Sequence, residues 1–207
     1  MQVGNYPGDD PDEQLRRHLE NSIAGFIPPR FRAEIELPKP AVEWAANGHN
    51  AGGLYLTGPV GVGKTHTAYA ALAAWCRATN TTPFMAGYDH NYGVTNRYGP
   101  TVHVVRATTL LDQLRPGADG AREIVSDCQR ARLLYIDDMG AEKPSEWTQE
   151  RLYEVIDERY VACRPLIVTS NLPPKSLADH VGERTASRLA EMCELVPLTG
   201  SDRRRPQ

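Results

Sequence analysis

Gly53-Leu54-Tyr55-Leu56-Thr57-Gly58-Pro59-Val60-Gly61-Val62-Gly63-Lys64-Thr65 is the stretch that decides the fold. Its first five residues are a short apolar run, its last eight match G-x-x-x-x-G-K-[ST], and the Ala-rich residues 65–78 that follow read as a helix. Strand, Gly-rich loop and helix in that order make a phosphate-binding loop. The glycines let successive backbone N–H groups turn inward around an anion. The helix adds its free N–H groups and the positive end of its dipole. In such a loop Gly58, Pro59, Val60, Gly61, Val62 and Gly63 surround the phosphates, Lys64 reaches the β- and γ-phosphates, and Thr65 holds Mg²⁺.

Outward from this loop, 207 residues with 41% hydrophobic content suit one domain of ordinary α/β size. A net charge of −3 gives no bulk attraction to nucleic acid, so any such partner must be met by a local patch or by an assembly. Cys76, Cys128, Cys163 and Cys193 are scattered, without C-x-x-C or a His at ligand spacing. They read as reduced, mostly buried thiols rather than metal ligands. No apolar stretch reaches the length of a membrane span and the N-terminus lacks a signal-peptide pattern, so a soluble, cytoplasmic protein without membrane partners is expected.

Residues 1–14, rich in Gly, Pro and acid, predict a disordered tail. Leu15, Leu19 and Ile23 at four-residue spacing predict a helix over 13–24 with Asp12 as its cap, and a second short helix is expected over 40–46. Residues 79–100 show no period and predict a long loop. Strands are expected at 102–105, 133–136, 166–169 and 194–198. Helices are expected at 108–114, 121–130 and 183–192, with a further one that begins after Ser145 and carries the inner stripe Leu152, Val155, Ile156 and Tyr160. Five strands separated by helices predict an α/β fold with a doubly wound parallel sheet.

Three further groups of residues carry chemistry. Leu133-Leu134-Tyr135-Ile136-Asp137-Asp138 is an apolar strand that ends in two carboxylates. Asp137 can hold Mg²⁺ through water, and Asp138 can polarise an attacking water, if this strand runs beside the phosphate loop. The bland alternative is a strand that ends in a polar turn. Val168-Thr169-Ser170-Asn171 ends a second buried strand in an amide, which either touches the γ-phosphate or its water or caps the turn before Pro173-Pro174. Arg184 and Arg188 lie one helical turn apart, with Arg203-Arg204-Arg205 beyond them. Guanidinium groups suit phosphoryl oxygens, and they also make ordinary solvated helix faces and tails.

The order of these elements resembles the AAA+ ATPases that load replicative helicases in bacteria and phages, the DnaC/IstB-like group. The resemblance runs from Ile27-Pro28-Pro29-Arg30-Phe31 through Gly58 to Thr65 and His66. It continues with Ile136-Asp137-Asp138-Met139-Gly140-Ala141-Glu142 and Thr169-Ser170-Asn171-Leu172, and ends at Gly182-Glu183-Arg184 and Ser187-Arg188-Leu189. It implies an AAA+ P-loop domain over 27–207, preceded by a tail and short helix over 1–26, with ATP and Mg²⁺ as cofactors. Walker A then runs from Gly58 to Thr65 with His66 adjoining it, Walker B is Asp137 and Asp138, and sensor 1 is Asn171. Arg184 and Arg188 become arginines presented to a neighbouring subunit's ATP in an oligomer, and Arg204 becomes sensor 2.

The activity so implied is ATP-dependent assembly on single-stranded DNA in replication, as a helicase loader or an accessory to one. Alternatives are the transposition-regulator branch of the same group and, from a different class, a small P-loop kinase. Many AAA+ proteins have Glu where this chain has Asp138, whose shorter reach implies slow, partner-stimulated hydrolysis. The segment ahead of Ile27 is shorter than the domain with which loaders usually grip the helicase, and the segment after the last strand is short for a helical lid. Single-strand contacts are expected on 79–100, which holds Tyr88, His90, Tyr92, Arg97 and Tyr98, and on the helix over 108–115.

Overall fold

The computed structural model describes residues 10–83, 101–115, 117–118, 120–141 and 145–202. Helix α1 (Pro11–Phe26) starts where Asp10 accepts a hydrogen bond from the Asp12 N–H at 3.2 Å and Pro11 fills the first turn, a place where its missing N–H is harmless. Residues 10–14 are therefore a cap and a first helical turn rather than part of a disordered tail, and the cap is Asp10 rather than Asp12. The rest of that expected tail, 1–9, lies outside the described residues. Leu19 and Ile23 carry the buried side of α1, which packs against α3 (Lys64–Thr79). Arg77 of α3 donates from Nε and Nη2 to the two carboxylate oxygens of Glu20, each at 2.7 Å. A 3₁₀ turn over Pro29–Phe31 and helix α2 (Lys39–Ala46) lead to the sheet.

Strands β1 (Gly53–Thr57), β2 (Val102–Arg106), β3 (Leu133–Met139), β4 (Leu166–Ser170) and β5 (Cys193–Pro197) pair in parallel in the order β2-β3-β4-β1-β5. Strand β4 stands between β1 and β3. The acid-ended strand is therefore one strand removed from the phosphate-loop strand, not beside it. Side chains alternate between two cores. Leu54, Leu56, Leu133, Tyr135 and Ile167 face α1, α2 and α3, whereas Tyr55, Leu134, Ile136, Leu166 and Val168 face the helices on the other side. Burial on both faces explains why β1, β3 and β4 read as continuous apolar runs.

The second face is covered by α4 (Ala107–Gln113), α5 (Ala121–Arg130), α6 (Glu146–Val161), α7 (Pro174–Val181) and α8 (Glu183–Met192). Sequence reading missed α7 because Pro173-Pro174 reads as a turn. Pro174 stands in its first turn, and Leu177 and Val181 are buried. On α6, Leu152, Val155 and Ile156 are buried as expected and Tyr160 is half-buried. Arg159 is wholly buried, a feature the apolar pattern does not reveal. Its Nη1 donates to Cys128 O at 2.8 Å and Ala131 O at 2.9 Å, and its Nη2 to Pro165 O, which closes the C-terminal end of α5. Cys76 and Cys128 are buried free thiols, Cys163 is exposed and Cys193 half-buried. Among the described residues no helix is long and apolar enough to cross a membrane.

Candidate functional site

Ligands of parallel sheets collect beyond the carboxyl ends of the strands, and here the ends of β1, β3 and β4 converge. Strand β1 ends at Thr57, the loop runs from Gly58 to Gly63, and α3 begins at Lys64. Gly58 and Gly61 have φ of 151° and 85°, and both are overlaid by the chain that follows β5. Leu198 donates its N–H to Thr57 O at 2.7 Å. A Cβ on Gly58 would come within 2.3 Å of Leu198 O, and one on Gly61 within 1.9 Å of Asp202 Oδ1. At Gly58 the obstacle is main chain, and at Gly61, where the Asp202 side chain could move aside, it is the left-handed φ that favours glycine. The motif names the glycines, but nothing in the sequence names Asp202 as their neighbour.

Lys64 is 8% exposed, and its ammonium donates to Gly58 O at 2.8 Å, Pro59 O at 2.8 Å and Asn171 Oδ1 at 2.7 Å. Asn171, at the end of β4, donates from Nδ2 to Asp138 Oδ1 at 3.0 Å. One amide thus joins the loop lysine to the second carboxylate of β3. Asp137 Oδ1 accepts from Tyr135 OH at 2.6 Å, Thr169 Oγ1 at 2.7 Å and Thr65 Oγ1 at 3.2 Å. The two acids part company because β3 has an irregularity between Ile136 and Met139 where it pairs with β4. Asp138 stands in the left-handed region at φ 59° and donates its N–H to Thr169 Oγ1 at 2.8 Å. Its side chain is turned toward Asn171 while that of Asp137 is turned toward Thr65.

Tyr135 and Thr169 are the participants that sequence reading did not assign. A signal existed for the tyrosine: in a strand, residues two apart share a face, so Tyr135 and Asp137 had to point the same way. Burial first, then the charge of Asp137 and the hydrogen bond to it, holds the Tyr135 hydroxyl well above its usual pKa, so it stays a donor. Tyr69 of α3 meets the Tyr135 ring edge-on with centroids 5.4 Å apart, and Phe31 stacks on Tyr69 at 5.2 Å. The Ile27-to-Phe31 segment is thereby tied to the acid-bearing strand through two rings. His66 shares this contact: its Nε2 donates to Ala33 O at 2.8 Å and its ring is tilted against Phe31.

Lys64, Thr65, Asp137, Asp138 and Asn171 are therefore brought together, with Gly58 to Gly63 beside them. Arg184 and Arg188 have their recorded contacts elsewhere, on the face of α8 that meets α6. The Arg184 guanidinium lies 3.9 Å over the Tyr153 ring, and Arg188 donates from Nε to Asp157 Oδ1 at 2.9 Å while lying 4.2 Å over the Tyr160 ring. With Glu183 and Ser187 they line a surface pocket of about 300 Å³. Arg204 and the loop residues Tyr88, His90, Tyr92, Arg97 and Tyr98 lie outside the described residues. Of the helix expected over 108–115, α4 covers all but the end, where Arg115 pairs with Asp112 at 2.9 Å.

No family model matches the chain. An ATP-binding protein in an insertion sequence of Mycobacterium tuberculosis is 29% identical over 171 residues, 79% of this chain and 59% of that protein. The ATP-binding protein of insertion sequence IS1162 from Pseudomonas fluorescens is 34% identical over 133 residues, 63% of this chain and 47% of that protein. The chain thus spans about half the length of these curated relatives. Among solved structures, the DnaC helicase loader superposes with a TM-score of 0.55 at 21% identity, covering 94% of this chain and 93% of the loader. The replication initiator DnaA bound to AMPPCP and single-stranded DNA gives 0.59 at 21% identity, covering 85% of this chain and 52% of DnaA. With its β2-β3-β4-β1-β5 parallel sheet the chain has the fold of the DnaC and DnaA structures, and in sequence it is similar to ATP-binding proteins of insertion sequences.

Proposed function

We propose that the chain binds ATP with Mg²⁺ at the ends of β1, β3 and β4, hydrolyses it slowly, and uses the cycle to assemble on single-stranded DNA in replication, as a helicase loader or an accessory to one. The observation that carries the nucleotide half is Asn171, whose amide links the loop ammonium of Lys64 to the carboxylate of Asp138. Backbone with φ of 151° and 85° at Gly58 and Gly61 suits a loop that wraps phosphates, and Thr65 and Asp137 offer the hard oxygen donors that Mg²⁺ prefers. Thr65 and Asp137 would hold that ion, which when bound neutralises charge on the β- and γ-phosphate oxygens. Lys64 would exchange the carbonyls of Gly58 and Pro59 for phosphate oxygens. Asp138 would draw a proton from the attacking water, with Asn171 fixing the direction of its carboxylate.

The AAA+ domain so proposed covers 27–207, with 1–26 as tail and short helix. Arg184 and Arg188, lacking recorded contacts to their own phosphate loop, would serve a neighbouring subunit's ATP, with Arg204 as sensor 2. The DNA half is motivated by the initiator of similar fold that holds AMPPCP and single-stranded DNA; residues 79–100 and α4 are its proposed surface. The test is ATP turnover alone, with a single-stranded oligonucleotide and with duplex DNA. Stimulation by the single strand is expected, and absence of turnover in all three conditions would overturn the reading. A second reading, a transposition regulator, is favoured by the two insertion-sequence relatives; it predicts that duplex DNA, not the single strand, promotes assembly.

A further inference from the structure

We propose that Thr169 is the positioning residue that sets the two acids of β3 in their separate directions. The inference rests on the nucleotide-binding reading above and goes beyond it. A single hydroxyl has one proton to give and lone pairs to receive, and Thr169 Oγ1 uses both. It donates to Asp137 Oδ1 at 2.7 Å and accepts the Asp138 N–H at 2.8 Å. The first bond turns the Asp137 carboxylate toward Thr65. The second holds the backbone of Asp138 at φ 59°, a conformation that non-glycine residues seldom adopt unless the surroundings impose it. The second bond lies within the irregular segment of β3 between Ile136 and Met139, and with a regular strand Asp138 would not be held toward Asn171.

Thr169 is suited to this task by its placement. It is 1% exposed and lies on β4, opposite Leu56 of β1 in register, between the strand that carries the phosphate loop and the strand that carries the acids. Tyr135 adds its own hydrogen bond to Asp137 Oδ1 but none is recorded from it to Asp138. Thr169 is thus the hydroxyl with recorded bonds to both. Thr169→Val keeps the β-branched shape and removes donor and acceptor together, while Thr169→Ser keeps the hydroxyl.

Three quantities distinguish positioning from packing: affinity for a fluorescent ATP analogue in EDTA, its affinity in saturating Mg²⁺, and the turnover number. Thr169→Val is expected to bind within about twofold of the unaltered protein in EDTA. It should lose about 10- to 100-fold in the Mg²⁺-dependent gain of affinity and in kcat, the range seen when partners behind metal-binding side chains are removed. Thr169→Ser should restore both. Thr169→Ala carries the same test should the valine variant fail to fold. A folded Thr169→Val or Thr169→Ala with the normal Mg²⁺-dependent gain and normal kcat overturns the proposal, as does a serine variant no better than valine. If the unaltered protein itself shows no Mg²⁺-dependent nucleotide binding, the functional reading fails and the role of Thr169 falls with it.

Discussion

Replacing Asn171 with alanine tests the junction between loop and acids. The perturbation is clean because Asn171 is exposed and β4 has ended at Ser170, so no core packing is lost and stability should change by less than about 0.5 kcal/mol. Two hydrogen bonds disappear, to Lys64 Nζ at 2.7 Å and to Asp138 Oδ1 at 3.0 Å, each with a charged group. Before nucleotide binds, Lys64 is still held at the loop by the carbonyls of Gly58 and Pro59, from which it would pass to the phosphates as before, so ground-state nucleotide binding should move by about threefold or less. Asp138 loses the donor that orients it. One hydrogen bond to a charged group contributes about 1.5–3 kcal/mol, and at 1.36 kcal/mol per tenfold this corresponds to a fall in kcat of about 10- to 150-fold. Steady-state hydrolysis, equilibrium binding of a fluorescent ATP analogue and urea unfolding, measured on one preparation, separate these three effects. Unchanged kcat with unchanged folding would show that Asn171 only caps the turn before Pro173.

Lys64→Ala should abolish tight nucleotide binding and hydrolysis, whereas Asp138→Asn should keep binding and lose turnover; a calorimetric titration with ATP separates the two variants. Neither Lys64→Ala nor Arg188→Ala subunits should be active alone, yet a mixture should regain part of the activity because some interfaces pair an intact pocket with an intact arginine. A mixture as inactive as its parents, with association intact, excludes a role for Arg188 across subunits. Arg159→Met should cost on the order of 3 kcal/mol in urea unfolding, since it leaves the carbonyls of Cys128, Ala131 and Pro165 without their shared donor. The Arg77 hydrogen bond lowers the pKa of Glu20, so its contribution is present above the usual carboxylate range and lost as pH falls through the lowered value. Amide exchange in α1 should quicken over that window, by a small factor given how exposed the pair is.

The fold was legible where burial is uniform and illegible where a polar group stands in for a pattern. Leu133 to Ile136 and Leu166 to Val168 are apolar without interruption because helices cover both of their faces, and runs that short, bounded by polar residues, read as strands of a covered sheet. The start of α1 is hard to read because Pro11 stands in a Gly- and Pro-rich stretch that ordinarily opposes helix, although at a first turn its fixed φ favours one. A first-turn proline likewise hides α7 behind Pro173-Pro174. Arg159 lay beyond reading for a different reason. Its partners are main-chain carbonyls at 128, 131 and 165, which every residue possesses, so no side-chain pattern announces the pocket that accepts a guanidinium.

The site divides along the same line. Lys64, Thr65, Asp137, Asp138 and Asn171 could be named because each lies at or beside the end of a readable element, and the ends of parallel strands are where ligands must go. What could not be read is how adjacent residues on one strand come to point in different directions. A regular strand would send Asp137 and Asp138 to opposite faces of the sheet, one acid toward α3 and the other toward the helices on the far side. The left-handed backbone at Asp138 changes that outcome, and it depends on a bond from Asp138 N–H to a hydroxyl thirty-one residues away. That dependence is a tertiary fact written in a threonine that, in sequence, looks like one more β-branched residue of a buried strand. The chemistry of the two acids is therefore encoded on β4 as much as on β3, and Thr169 and Asn171, two residues apart, divide the task of directing them.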